Sequence, residues 1–147
     1  TDFINPGNLC GLLKRYPETQ FVLMHIGYPY EQEIVALAKH YRNVFVDLCW
    51  AWSINPHASK QFLRNYLHAA PINKLFAFGG DTQRPRIAVA YAEQARRRIR
   101  EALQEEIEAG ELTDAEAIAI ARNVLSGNQA AVFDFAGTVA HLKAAAG

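Results

Sequence analysis

Apolar and polar residues alternate in three short runs and recur every three to four positions between them, so the chain reads as strand-then-helix units repeated three times. The first run, 21–25, puts Phe21, Leu23 and His25 on one side of a strand. A loop through Gly27 and Pro29 leads into 31–41, where Ile34, Leu37, Ala38 and Tyr41 make a helical stripe. The second run, 43–50, sets Val44, Val46, Leu48 and Trp50 against Phe45, Asp47 and Cys49. Asn55-Pro56 then supplies the cap and first turn of a helix whose buried side is Phe62, Leu63, Tyr66 and Leu67, and Pro71 marks its end. The third run, 74–81, carries Phe76 and Phe78 on one side and Leu75, Ala77, Gly79 and Asp81 on the other, with a strand expected over 75–80.

The flanks are helical. Asn5-Pro6-Gly7-Asn8 is turn chemistry, and Leu9, Leu12, Leu13 and Tyr16 predict a short helix that Pro17 stops. Ile87, Tyr91, Ala95, Ile99, Leu103 and Ile107 predict a long helix from about Arg86 to Ala109, with Gly110 as its stop. Thr113 and Glu116 form a capping box for a further helix ending near Ser126-Gly127. A short helical turn over 129–135 packs through Val132, Phe133 and Phe135, and beyond Gly137 the Ala-rich tail has little to bury, so it should be frayed or marginal.

Crossover helices return the chain to the same end of a sheet, so the three strands should be parallel and covered on both faces. The expected helix-facing set is Val22, Met24, Val44, Val46, Leu48, Phe76 and Phe78, while the inner set ends in His25, Asp47 and Asp81. Polar groups at the C-terminal mouth of parallel strands are the arrangement inside a TIM barrel. A complete (β/α)8 barrel takes about 250 residues, so this chain would supply three strands of eight.

Composition narrows the function. Of 147 residues half are hydrophobic and 20% charged, which is ordinary globular usage, and 15 basic residues balance 15 acidic ones. Nothing in that balance recruits nucleic acid or an anionic membrane, and no apolar stretch is long enough to cross one. Cys10 and Cys49 give neither a disulfide framework nor a zinc spacing and read as free thiols of a reducing compartment, so a cytoplasmic location is expected. That Thr1 is not Met hints at an excised piece, as an expression product also would.

Asp81 is either a group placed for chemistry at a strand mouth or a cap on the following turn. His25 is either a ligand or a core histidine bonded to backbone. Asp47, inward and mid-strand, is either a carboxylate that supports the site's ligands from behind or a buried Asp bonded to neighbouring backbone, and the structural reading is favoured. Tyr28, Tyr30, Trp50 and Trp52 fall on two adjacent loops, where their rings either shape a substrate pocket or plug the barrel top. Arg84 either forks onto a substrate carboxylate or simply starts a helix at the surface. The basic run Arg96-Arg97-Arg98 with Arg100 is followed by Glu101, Glu105 and Glu106 and reads as a solvated, internally paired helix face.

FVLMHIGYP, NVFVDLCW and KLFAFGGD, each followed by a helix, resemble the last three β-α units of the amidohydrolase superfamily, over roughly residues 5–135. The likeness is to the branch of metal-dependent TIM-barrel hydrolases that also holds decarboxylases. It implies an α/β fold: the C-terminal three β-α units of a TIM (β/α)8 barrel with extra C-terminal helices, residues 1–136 forming the barrel part and 137–147 a tail. It implies that His25 matches the strand-six histidine, which binds metal or contacts substrate and water. Asp81 matches the strand-eight aspartate, which ligates the metal and takes a proton from bound water. The implied cofactor is a divalent metal, zinc being expected, and Tyr28, Trp50, Trp52 and Arg84 would meet a small-molecule substrate. The family's His-x-His pair and the ligands of strands four and five have no counterpart here; His40, His57, His68 and His141 lie in helices or the tail. The complete barrel would hydrolyse a C–N or C–O bond, or decarboxylate, or isomerise. By this reading the isolated chain is an inactive fragment that forms a homo-oligomer or associates with the missing barrel half. The rival is a non-catalytic α/β module, or truncated relic, acting through partner binding.

Overall fold

Val44–Asp47, the strand β2, is hydrogen-bonded on both sides: to β1, Phe21–Leu23, and to β3, Leu75–Phe76. All pairings are parallel. The computed structural model describes residues 4–146; residues 1–3 and 147, and with them Thr1 and the outer limits of the 1–136 and 137–147 division, lie outside the described residues. Ahead of β1 come a 3-10 turn, Pro6–Leu9, and helix α1, Cys10–Arg15. The crossovers are α2, Glu31–His40, between β1 and β2, then α3, Ala51–Ile54, and α4, Pro56–Ala69, between β2 and β3. After β3 follow α5, Pro85–Glu108, and α6, Asp114–Arg122, which runs through a π-helical turn, Asn123–Gly127, into α7, Asn128–Val132, and then α8, Phe135–Ala146. No helix among the described residues is long and apolar enough to cross a membrane.

The register corrects the expected faces. Phe21 lies beside Val44, Leu23 beside Val46, and Val46 beside Leu75, so these residues share the helix-covered face, where Val44, Val46 and Leu75 are fully buried against α2 and α4 side chains such as Ala38, Phe62 and Tyr66. Val22, Phe45, Asp47 and Phe76 share the other face. Alternation sorts residues within one strand but leaves open which set of its neighbour it joins; only the register decides that. Val22 and Phe76 therefore move to the inner face, beside Phe45 and Asp47.

Local signals placed the helices well. Asn55 caps α4 through Oδ1, which accepts the Ala58 N–H at 3.1 Å, with Pro56 at the first turn. Thr113 and Glu116 make the expected capping box. The expected stop near Ser126-Gly127 is absent, because the π-helical turn carries the backbone on to Val132. α8 buries no residue.

That continuation closes one edge of the sheet. The Val124 carbonyl accepts the Ala77 N–H at 2.8 Å, Asn128 Nδ2 donates to the carbonyls of Ile72 at 2.7 Å and Leu75 at 2.8 Å, and Trp52 Nε1 donates to the Ala77 carbonyl at 2.7 Å. Phe133 turns back onto the inner face at 5.6 Å from Phe76, which stacks on Phe45 at 5.7 Å. Among the described residues no strand pairs with the far side of β1.

The long helix α5 is tied to α4 by charge. Glu106 is 2% exposed and is held by Arg64 Nε and by His68 Nε2, while Glu105 pairs with Lys60 and Arg64. Only Glu101 pairs on its own helix, with Arg98 at 2.6 Å, so the face expected to be solvated is in part an interhelical seam. Burial pushes the Glu106 carboxyl up, but the hydrogen bonds and charges of Arg64 and His68 outweigh it and hold it below its ordinary value. A folded-state pKa below the unfolded one means that this stabilisation is present above the usual glutamate pKa and is lost as pH falls through the lower folded value. Glu106→Gln should cost about 3 kcal/mol at neutral pH by leaving Arg64 and His68 incompletely paired, and should flatten the acid side of the stability profile. Urea denaturation at pH 7 and pH 4 checks both; equal losses at the two values would contradict the linkage.

Candidate functional site

β2 and β3 go on pairing beyond their regular spans. Leu48 N–H donates to the Phe76 carbonyl at 2.9 Å and Trp50 N–H to the Gly79 carbonyl at 3.0 Å. Two residues advance on one side while three advance on the other, so the third strand bulges after Phe76, which is why it ends short of residue 80. Ala77 and Phe78 both lie against the helix-side core at this bulge. Beyond it the chain turns, and Asp81 adopts a left-handed conformation with φ of 39°.

Three further non-glycine residues are left-handed: His25 at 63°, Ile26 at 51° and Trp50 at 58°. All four sit just past the C-terminal ends of the three strands. Such conformations cost about 1–3 kcal/mol each and persist only where the surrounding structure over-determines them. Here the buried sheet and helices impose them.

Within this rim His25 Nδ1 lies 2.7 Å from the Cys49 carbonyl. A carbonyl only accepts, so Nδ1 carries the proton, and in the neutral ring Nε2 then presents its lone pair. Nε2 lies 3.9 Å from Asp81 Oδ2, with the side chains 37% and 53% exposed. The Trp50 ring stands edge-on to the imidazole at 5.6 Å. Behind them Asp47 Oδ1 accepts the Cys49 N–H at 2.7 Å; burial raises the Asp47 pKa, with the Cys49 N–H and the nearby His25 opposing. Burial first, and then the carboxylates of Asp47 and Asp81, push the Cys49 thiol up to about 11, which keeps it a neutral thiol at neutral pH.

The structure thus brings His25 and Asp81 together, with Trp50 beside them and half-exposed Tyr28 two residues past Ile26 on the same rim. Arg84 is exposed at the start of α5. Trp52 is set apart from that rim: it is 1% exposed, and its indole N–H is spent on the Ala77 carbonyl, the turn at Trp50 leading the next residues of α3 into the core. It closes the sheet edge. Cys49 was missed as a member of the site. Its apolar run disguised it, although the Gly79-Gly80 pair was a signal for close backbone approach. A hollow of about 540 Å³ lies at the opposite end of the strands, lined by Leu13, Lys14, His40 and Asn43, away from these groups. Among the described residues no group of three or more His, Cys, Asp or Glu side chains is arranged to hold a metal.

A profile of the amidohydrolase family matches residues 1–135. Over 72 residues the chain is 39% identical to protein fluG of Emericella nidulans, a match that takes in 48% of this chain and 8% of that protein. In fold it is similar to a solved structure from Lactobacillus casei ATCC 334 described as a candidate metal-dependent hydrolase, with a TM-score of 0.69 and 21% identity, covering 86% of this chain and 33% of that one. The chain therefore spans a third of that structure and less than a tenth of the curated relative.

Replacing Trp52 by Phe should leave the Ala77 carbonyl buried without a donor and cost about 1–3 kcal/mol in chemical denaturation. The imidazole resonances of His25 should stay in place. A variant of parental stability would return Trp52 to the list of rim residues.

Proposed function

The chain belongs to the amidohydrolase family, and from that premise we propose that it is the C-terminal portion of a metal-dependent hydrolase barrel, with His25 and Asp81 in its active site. The observation that carries the reading is the pairing of an exposed imidazole lone pair with an exposed carboxylate 3.9 Å away, the imidazole held by a backbone carbonyl on its other nitrogen. A carbonyl on the far ring nitrogen is the usual support of a metal-binding histidine, so these donors suit a divalent cation, zinc above all, as two members of its shell.

Bound there, such a cation supplies the polarisation that brings the pKa of a water molecule to about 7. The chain's own residues do the rest. Asp81 takes a proton at its carboxylate, and His25, its tautomer set by Cys49, keeps Nε2 aimed at the same point. Trp50 and Tyr28 wall the approach of a small-molecule substrate, and Arg84 offers a bidentate fork to a carboxylate on it. The reaction class is hydrolysis of a C–N or C–O bond, with decarboxylation open to the same apparatus.

A second reading, a binding module that acts through a partner, is favoured by the lack of a third donor among the described residues. The two meet if further strands, from the rest of a barrel or from a second copy, add to β1 and complete the donor set.

The test begins on the chain alone. Dialysed against a weak chelator, it should retain substoichiometric zinc, and added Co²⁺ should broaden the His25 and Asp81 resonances first, an effect lost in His25→Asn and Asp81→Asn. One tightly held equivalent per chain would refute the incomplete site. In a complete, metal-replete barrel, Asp81→Asn should lower kcat by about 10² to 10⁴ with little change in KM; a kcat within a few-fold of the parent would remove Asp81 from the mechanism.

A further inference from the structure

Cys49 lies beneath His25 and Asp81 and is 4% exposed. Three hydrogen bonds meet at this one residue. Its carbonyl accepts from His25 Nδ1 at 2.7 Å and from the Ala51 N–H at 2.7 Å, and its N–H donates to Asp47 Oδ1 at 2.7 Å. All three use backbone atoms of Cys49 and would survive any side chain that left the backbone in place, so the question is what sets the depth of that backbone.

Gly79 answers it. A Cβ at Gly79 would meet the Cys49 Sγ at 2.6 Å and Cβ at 2.8 Å, closer than real side chains approach one another. The thiol is therefore seated on bare backbone, and the neighbouring Trp50 N–H to Gly79 carbonyl bond, at 3.0 Å, locks the two strand ends at that depth. A larger residue on either side would push the strand ends apart, and a smaller one at Cys49 would let the ends settle closer.

We propose that the Cys49–Gly79 contact is the positioning device of this site, setting where the Cys49 carbonyl lies and thereby fixing the tautomer of His25 and the direction of its Nε2 toward Asp81. The proposal deepens the reading above and rests on it only in taking His25 and Asp81 as the site. Cys49 is a positioning residue and touches no reacting atom. A purely structural role would show as lost stability with the imidazole unchanged; a positioning role shows at the imidazole itself.

The experiment is long-range ¹H–¹⁵N correlation of the His25 ring in the metal-free chain, with parent and variants compared at pH 8. The parent should show the form protonated on Nδ1. Cys49→Ser, similar in size, should keep it. Cys49→Ala and Gly79→Ala should reduce the ratio of the Nδ1–H to the Nε2–H form about fivefold to tenfold, the weight of one hydrogen bond. Should Gly79→Ala not fold, Cys49→Ala decides alone, since it adds no atoms. A folded Cys49→Ala with the parental tautomer, or a parent without the Nδ1–H form, overturns the proposal. Because neither metal nor turnover enters the measurement, a failure of metal binding at His25 counts against the functional reading and leaves this result untouched.

Discussion

Hydrogen bonding of β2 to a parallel neighbour on each side brings the ends of three strands to one rim, and the site depends on that alignment. His25, Cys49 and Asp81 are 24 and 32 residues apart in sequence, counting 49 − 25 and 81 − 49. No local preference joins them. The pairings of Leu23 with Val46 and of Asp47 with Phe76 set all three strand ends at one height, and a one-residue slip in either would exchange core for solvent along a whole strand. Burial of Val44, Val46 and Leu75 under α2 and α4 makes that slip costly.

The same burial sustains the backbone strain of the rim. Four left-handed non-glycine residues stand along the strand ends, each in a conformation that the surrounding structure must hold. The cost is borne by the core and by the α4–α5 seam, where Glu106 is buried only because Arg64 and His68 reach it. Strain at the mouth and stability beneath it are separate parts of the chain.

The sheet's two edges are not equivalent. Three barrel strands would be expected to expose two open borders and an apolar inner face. Instead the β3 border is saturated by Val124, Asn128 and Trp52, and the inner face is partly covered by Phe133 over Phe76. Among the described residues no strand pairs with the far side of β1, so the two edges differ in what covers them.

Much of this was legible in the sequence. The period-two and helical runs located all three strands and the principal helices. Asn55-Pro56 and Thr113-Glu116 carry their caps locally, and the likeness at His25 and Asp81 named the two groups that the fold brings to 3.9 Å. These features depend on residues close in sequence, or on a motif at a strand end. Which face each strand presents, the bulge that cuts the third strand to Leu75–Phe76, the burial of Trp52 and the seating of Cys49 on Gly79 were decided only by tertiary structure. Each depends on the register between strands or on what packs across a gap, and alternation along a single strand holds no information about its neighbour's height.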